Sequence, residues 1–313
     1  MEAASKCRPR KTPLLFEIKG NSLDDGPGIR TVIFFKGCPL DCAWCHNPES
    51  KSHQIEISYD PKKCIGCGTC IRICPATALS KENPYYINRN ICNLCGQCAA
   101  ECPSGALECV GFEMSIHDVK QKVLSDKPFF DNSGGGVTFS GGEPTLHMDY
   151  AAELARALKE MDIRVLLETC GLFSYDHFKD TLLPYLDIIY YDLKLFDGAE
   201  HKHFCGVSNS VIIQNFTRLV IDTRKRGISL LPRIPLVPGI TDTDSNILAI
   251  SSFLKKWGVL KADILPYNPL WHDKSWSLGR KDGYSEDKDM TEFLSQEKIR
   301  HCKAIILAAG IDV

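Results

Sequence analysis

The chain has 313 residues, with 37 Lys and Arg against 39 Asp and Glu, a formal net charge of −2. That balance argues against nucleic acid or an anionic membrane surface as the main partner, and 44% hydrophobic residues exclude wholesale disorder. No apolar run approaches the roughly 18 residues of a membrane helix, and the short basic stretch Met1–Thr12 leads into no secretory hydrophobic region.

The first predicted element, Thr31–Lys36, is β-branched and aromatic, a buried-strand signal. It runs directly into Gly37-Cys-Pro-Leu-Asp-Cys-Ala-Trp-Cys-His46, at the strand end where barrels of βα units carry their chemistry. From about Asp60 to Cys109, Gly, Pro and Cys rise and long periodic helices vanish, so this stretch reads as an insertion. Ser115–Ser125 then has helical spacing at Ile116, Val119, Val123 and Leu124, and Val137–Ser140 reads as a strand. Asp149–Met161 is an amphipathic helix, Ile163–Glu168 a strand, and Tyr175–Leu183 a helix. Asp187–Leu193 is a strand and Ser210–Arg226 a helix; Ile228–Ile234, Ala262–Pro266 and Ala304–Ala308 continue as strands around a helix at Asp244–Trp257. Alternation with short links predicts a parallel sheet with helices outside. Six or seven units fall short of a closed eight-unit barrel. The expected fold class is therefore α/β, a partial (β/α)6 TIM-like barrel, with a doubly wound open sheet as the alternative.

Sixteen cysteines are too many for an ordinary cytosolic enzyme, and the chain is too long for a secreted disulfide scaffold. Clustered cysteines in such a chain point to metal ligation. Cys38, Cys42 and Cys45 form C-x3-C-x2-C. Cys64, Cys67, Cys70 and Cys74 form C-x2-C-x2-C-x3-C followed by Pro75. Cys92, Cys95, Cys98 and Cys102 repeat that spacing, followed by Pro103. Cys7, Cys109, Cys170, Cys205 and Cys302 are left over. Three thiolates on a four-iron cluster leave one iron open to a ligand, as catalytic zinc sites keep one open position. Zinc sites are the rival reading for both patterns.

The eight-cysteine pattern resembles bacterial ferredoxins with two [4Fe–4S] clusters, in which the fourth cysteine of each run ligates the other cluster. The resemblance implies one cluster on Cys64, Cys67, Cys70 and Cys102, and a second on Cys92, Cys95, Cys98 and Cys74. The three-cysteine motif resembles the radical S-adenosylmethionine (SAM) superfamily, so three clusters are implied in all. The ordered set Asp25-Gly-Pro-Gly-Ile-Arg30, His46-Asn-Pro-Glu49, Ser140-Gly-Gly-Glu-Pro144, Asp192-Leu-Lys194 and Pro235-Leu-Val-Pro-Gly-Ile-Thr-Asp242 is more specific. It is similar to the glycyl radical enzyme activating enzymes of that superfamily, in the subgroup with a ferredoxin-like insert. The resemblance runs from about Phe16 to Gly279 and divides the chain at 14–59, 60–110 and 111–313: barrel, insert, and remaining barrel with a C-terminal extension.

The resemblance also implies roles. Cys38, Cys42 and Cys45 hold the SAM cluster, with Trp44, Cys45 and His46 near the adenine. Gly141 and Gly142 let backbone approach the cofactor, where a Cβ would clash, and Glu143 sets negative charge beside the SAM ammonium. Asp192 and Lys194 alternate with Leu193 and so share one strand face, where they and Arg233 approach SAM. Asp192 is a candidate for a monovalent cation site with Glu168-Thr169. Asp25 lies where a partner's glycine loop enters, so Lys194, Asp192 and Asp25 are the catalytic candidates. Leu265-Pro-Tyr-Asn268 departs from the family's Pro-Tyr-His: Asn268 offers contact but no acid–base chemistry.

The activity implied is that of an oxidoreductase. One electron cleaves SAM to methionine and a 5′-deoxyadenosyl radical, which takes a hydrogen from a glycine of a partner glycyl radical enzyme. Flavodoxin or ferredoxin is the expected reductant, and the expected form is a monomer in an anaerobic cytoplasm, bound to neither nucleic acid nor membrane. The rival functions are a radical SAM enzyme acting on a small molecule or peptide, and an iron–sulfur electron carrier.

Overall fold

The computed structural model describes residues 12–281 and 283–313; Cys7 and the rest of the basic stretch up to Lys11 lie outside them. Ten strands are present among the described residues. They are β1 (Leu14–Ser22), β2 (Arg30–Phe35), β3 (Glu56–Tyr59), β4 (Leu107–Val110) and β5 (Phe112–Glu113), then β6 (Gly136–Gly141), β7 (Arg164–Thr169), β8 (Ile188–Asp192), β9 (Ser229–Leu236) and β10 (Asp263–Pro266).

Six strands, β2, β6, β7, β8, β9 and β10, run parallel, each bonded to the next of the six. The order never reverses, so there is no switch point of the doubly wound kind, and the sheet is a partial barrel. β1 and β5 extend it antiparallel beyond β2.

The two faces differ in chemistry because side chains alternate along a strand. Ile33, Phe139, Val165, Leu167, Ile189 and Ile234 join the main hydrophobic core, with buried residues of the helices Met148–Lys159 and Ser210–Arg226. The alternate positions, Thr138, Ser140, Glu168, Tyr190, Asp192 and Arg233, carry polar or charged groups. A closed eight-stranded barrel fills its interior with branched aliphatic side chains. This inner face is built instead to meet a polar ligand. No helix among the described residues is long and apolar enough to cross a membrane.

The expected elements form close to their predicted bounds, with one correction. Ala304–Ala308 is not a strand; it lies in the helix Gln296–Ala308. Ser295 caps that helix by accepting the Lys298 amide, and Ile299, Cys302 and Ile306 are buried at helical spacing. Two helices, Gly198–Cys205 and Trp271–Ser277, carry no clear periodic signal in the sequence, and both border the site.

Between β2 and β6 the chain makes an excursion closed at its base by antiparallel pairing of β3 with β4. The excursion has its own small core of Ile57, Tyr59, Leu79, Ile87, Ala106 and Leu107. Its two halves repeat in conformation as well as in sequence. Gly66, Gly68 and Thr77 have positive φ, and so do Leu94, Gly96 and Gly105, the equivalent positions when Cys64 is matched to Cys92. The pairings obey the same equivalence. Tyr59 pairs with Leu107, and Ile87 pairs with Leu79. Ile87 is the second-half equivalent of Tyr59, and Leu79 is the first-half equivalent of Leu107. Such exchange of partners is what a pseudo-twofold axis produces.

Candidate active site

The three-cysteine loop leaves β2 at its C-terminal end. The Gly37 amide donates to the Ser50 carbonyl at 2.6 Å, closing the loop. The helix Gly198–Cys205 holds its middle: the Asp41 amide donates to the Cys205 carbonyl and the Ala43 amide to the Phe204 carbonyl, both at 2.9 Å. Lys51 crosses beneath and donates to the Cys42 carbonyl at 2.9 Å. Cys42 and Trp44 are buried in a second core with Leu40, Cys170, Cys205 and Trp271, and Cys38 and Cys45 pack against it. Burial pushes the Cys38 and Cys45 thiols up, Cys45 to about 11. A hydrogen bond with Cys205, together with burial, raises Cys42 as well. Such thiols hold their protons in water, and a bound metal cluster replaces those protons.

Beside this loop, near the C-terminal ends of β7 and β8 and on the facing part of β9, four largely buried charges form a chain of alternating sign. Arg233 pairs with Glu168 and donates to Asp192 Oδ1 at 3.0 Å. Lys194 Nζ donates to Asp192 Oδ2 at 2.7 Å. Burial disfavours the Asp192 carboxylate, yet Lys194 and Arg233 hold it below its ordinary range. Against the same desolvation, Asp192 and the neighbouring Cys42 and Cys170 thiols push Lys194 up, so it stays an ammonium. The parallel register sets Asp192 beside Arg233, which explains why residues so far apart in the chain meet. The guanidinium occupies the space between Glu168 and Asp192 where a monovalent cation was expected. Thr169 turns the other way and donates to Glu143 at 2.9 Å.

The glycines and the glutamate of the β6 motif make close contacts within the protein. A Cβ on Gly141 would lie 2.5 Å from the Phe35 carbonyl oxygen, and one on Gly142 would lie 2.1 Å from that of Gly37. The glycines therefore let β6 close against the backbone of β2 and its cysteine loop. Glu143 is fully buried and accepts from the Thr145 amide and hydroxyl, the Thr169 hydroxyl and the Cys170 amide. These bonds brace β6 against β7.

The remaining candidates lie around this centre. His46 is exposed at its surface and its carbonyl accepts Lys274 Nζ at 3.2 Å; partial desolvation and Lys274 push its imidazole pKa down. Asn268 follows β10, and its side-chain oxygen accepts the Leu270 amide at 3.0 Å, a turn-forming use. The Asp25 turn folds inward, and Thr138, in mid β6, donates to the Asp25 carbonyl at 2.8 Å. Burial raises the Glu168 carboxyl, and the Asp192 and Asp25 charges add to that rise. Arg30, wholly buried, braces this turn by donating to Thr138 at 2.6 Å. Motif reasoning missed Cys170 and Cys205 as site residues. Cys170 follows directly on β7; no local signal marks Cys205.

A profile of the radical SAM superfamily matches residues 32–249. Over 303 residues the chain is 37% identical to the isethionate sulfite-lyase activating enzyme of Nitratidesulfovibrio vulgaris, covering 95% of this chain and 96% of that protein. It is 33% identical over 304 residues to the trans-4-hydroxy-L-proline dehydratase activating enzyme of Clostridioides difficile, covering 96% and 98%. The chain belongs to the glycyl radical enzyme activating enzymes of the radical SAM superfamily. Among solved structures, a radical SAM methyltransferase from Sphaerobacter thermophilus shares the fold, at 16% identity and a TM-score of 0.52 over 96% of this chain and 76% of that one.

In this activating enzyme the insert carries a second cysteine-lined space. A small cavity is bordered by Cys64, Cys67, Cys70 and Cys102, with Tyr59 and Tyr86 on its wall. Three of these cysteines come from the first run and the fourth closes the second. Tyr86 Oη lies 3.1 Å from Cys70 Sγ. The Thr69 amide and hydroxyl pull the exposed Cys67 thiol below its ordinary value. At Cys102 burial is outweighed by the amides of Leu107, Ser104 and Ala106 and by the Ser104 hydroxyl, and the thiol again falls. Donors aimed at sulfur are what a thiolate ligand requires.

Proposed function

We propose that this chain activates a partner glycyl radical enzyme by reductive cleavage of SAM and removal of one hydrogen from a glycine of the partner. The observation that carries the reading is the Glu168–Arg233–Asp192–Lys194 chain beside the three-cysteine loop. Cys38, Cys42 and Cys45 would hold a four-iron cluster whose open iron, when bound, supplies the electron that breaks the S–C5′ bond. Lys194 and Arg233 keep fixed positive charge for the SAM carboxylate, and Asp192 orients both. Trp44 and His46 stand in the loop for the adenine, and Asn268 adds a polar contact. Gly141, Gly142 and Glu143 hold β6 against the loop, and so position the site without reacting. Asp25 lines the inward turn where the glycine segment would arrive. The apolar core around Trp44 and Trp271 excludes water and stray hydrogen donors.

The insert, residues 60–110 between barrel segments 14–59 and 111–313, is read as a two-cluster ferredoxin-like unit. Its pseudo-twofold pairing and the cavity of Cys64, Cys67, Cys70 and Cys102 support that reading. Cys92, Cys95, Cys98 and Cys74 form the symmetry-related set. Flavodoxin or ferredoxin is the electron donor, and the protein works as a monomer in an anaerobic cytoplasm. Incubated anaerobically with SAM, reductant and its cognate enzyme, the protein should yield 5′-deoxyadenosine and a glycine-centred EPR doublet. Cys42→Ala should abolish both while the insert signals persist. Turnover of a small molecule with no doublet on any glycyl radical enzyme would refute the proposal.

A further inference from the structure

The pseudo-twofold of the insert is broken at one place. Tyr59 and Tyr86 stack with ring centroids 4.1 Å apart and planes 15° from parallel, and both face the cavity of Cys64, Cys67, Cys70 and Cys102. When the two halves are superposed in sequence, Cys64 on Cys92, Tyr59 falls on Ile87 and Tyr86 falls on Ser58, neither of them aromatic. The pair is therefore not demanded by the repeat. Trp276 of the barrel packs beside the pair: its ring lies 6.3 Å from that of Tyr59 and 6.1 Å from that of Tyr85, the neighbour of Tyr86 in the chain.

Trp276 belongs to the helix Trp271–Ser277, which touches both cores at once. Trp271 is buried in the core that holds Cys42 and Trp44, while Trp276 packs on the core of the insert. Between them Lys274 donates to the carbonyl of His46, the residue after Cys45. Two arginines clamp the same junction. Arg89 donates to the carbonyls of Ile57 at 2.8 Å and Ser277 at 3.1 Å, and Arg280 pairs with Glu56 at 2.6 Å. Contacts run from Cys70 through Tyr86 and Tyr59 to Trp276, and the backbone of the Trp271–Ser277 helix links Trp276 to Lys274, which bonds the carbonyl of His46 beside Cys45.

We infer that Trp276, on the tyrosine pair Tyr59–Tyr86, is the electronic bridge between the insert and the three-cysteine loop. The inference rests on the two-cluster reading of the insert, and it makes the Cys64, Cys67, Cys70 and Cys102 site the one proximal to the barrel. One electron crosses per event. A flavodoxin- or ferredoxin-class one-electron donor restores it to the insert, the SAM cluster accepts it, and no proton or atom moves with it. The aromatic rings act as a closely packed path for tunnelling and are not themselves oxidised or reduced.

The test uses the full chain, reconstituted anaerobically, as wild type, Trp276→Leu and Trp276→Phe. Iron content and EPR of the reduced protein first establish that all clusters are present; absence of the insert clusters from the wild type would defeat the two-cluster reading itself. Freeze-quench EPR then follows reduction of the SAM cluster by reduced flavodoxin. Trp276→Leu should slow that step several-fold with the SAM-cluster spectrum and SAM affinity unchanged, and Trp276→Phe should restore much of the rate. Equal rates in all three proteins, with clusters intact, would overturn the bridge. So would a Trp276→Leu variant whose SAM-cluster spectrum or SAM affinity changes, because Trp276 would then be a structural clamp. If the leucine variant does not fold, Trp276→Met takes its place under the same criteria: a several-fold slower reduction with an unchanged SAM cluster upholds the bridge, and a wild-type rate overturns it.

Discussion

Asp192 is the residue on which the electrostatics of the site turn. Its two oxygens are shared between Arg233 and Lys194, and its side chain is only 19% exposed. Asp192→Asn keeps the shape and removes one negative charge from a buried, balanced set. Breaking a buried pair from one side costs about 3–5 kcal/mol when the partner is left uncompensated. Here Glu168 still neutralises Arg233, so Lys194 bears most of the loss. We expect a clear fall in thermal midpoint and weaker SAM binding, measured by calorimetry on the reconstituted protein. A variant with unchanged stability and SAM affinity would show that Asp192 does not organise the cations. The Asp-x-Lys pair was legible in the sequence, because strand alternation puts both on one face. Arg233 as the bridge was not, since only the β8–β9 register brings it there.

Among the elements, the end of β6 governs the cysteine loop. The Gly142 amide donates to the Phe35 carbonyl and the Glu143 amide to the Gly37 carbonyl, both at 2.9 Å. An added methyl at Gly142 would meet the backbone oxygens of Gly37 and Ser50, and backbone cannot swing aside as a flexible side chain can. Gly142→Ala should therefore push the cysteine loop off β6 at a cost of about 1–3 kcal/mol or more. The expected readout is a lower thermal midpoint together with incomplete loading of the SAM cluster, seen by EPR against unchanged insert signals. Normal loading would mean that the glycine serves only the ligand. The six parallel strands and the helices Met148–Lys159, Ser210–Arg226 and Asp244–Lys256 were readable because each carries its period over its length, whereas β1 and the helix Gln296–Ala308 were not. The helices Gly198–Cys205 and Trp271–Ser277 were not, being short and packed on loops rather than on the sheet.

At the scale of the whole molecule, two units with separate cores meet across one helix and one strand pair. If the insert holds two four-iron clusters and the barrel one, an anaerobically reconstituted chain carries about twelve irons. Removing residues 60–106 and joining β3 to β4 through a short turn, a connection their antiparallel pairing allows, should leave about four. Four irons with two zincs in the full chain would overturn the ferredoxin-like reading.

The sequence alone determined the class of chemistry, because cysteine spacing along a loop is local and survives without knowledge of the fold. It also determined the partial barrel, since alternating strand and helix periods admit few topologies. Only the tertiary structure decided how the parts connect. Arg233 stands where a cation was expected, Glu143 is a brace, and Trp276 joins the insert to the barrel, each through contacts between residues distant in the chain. Register and packing set such contacts, and neither leaves a periodic trace along the chain.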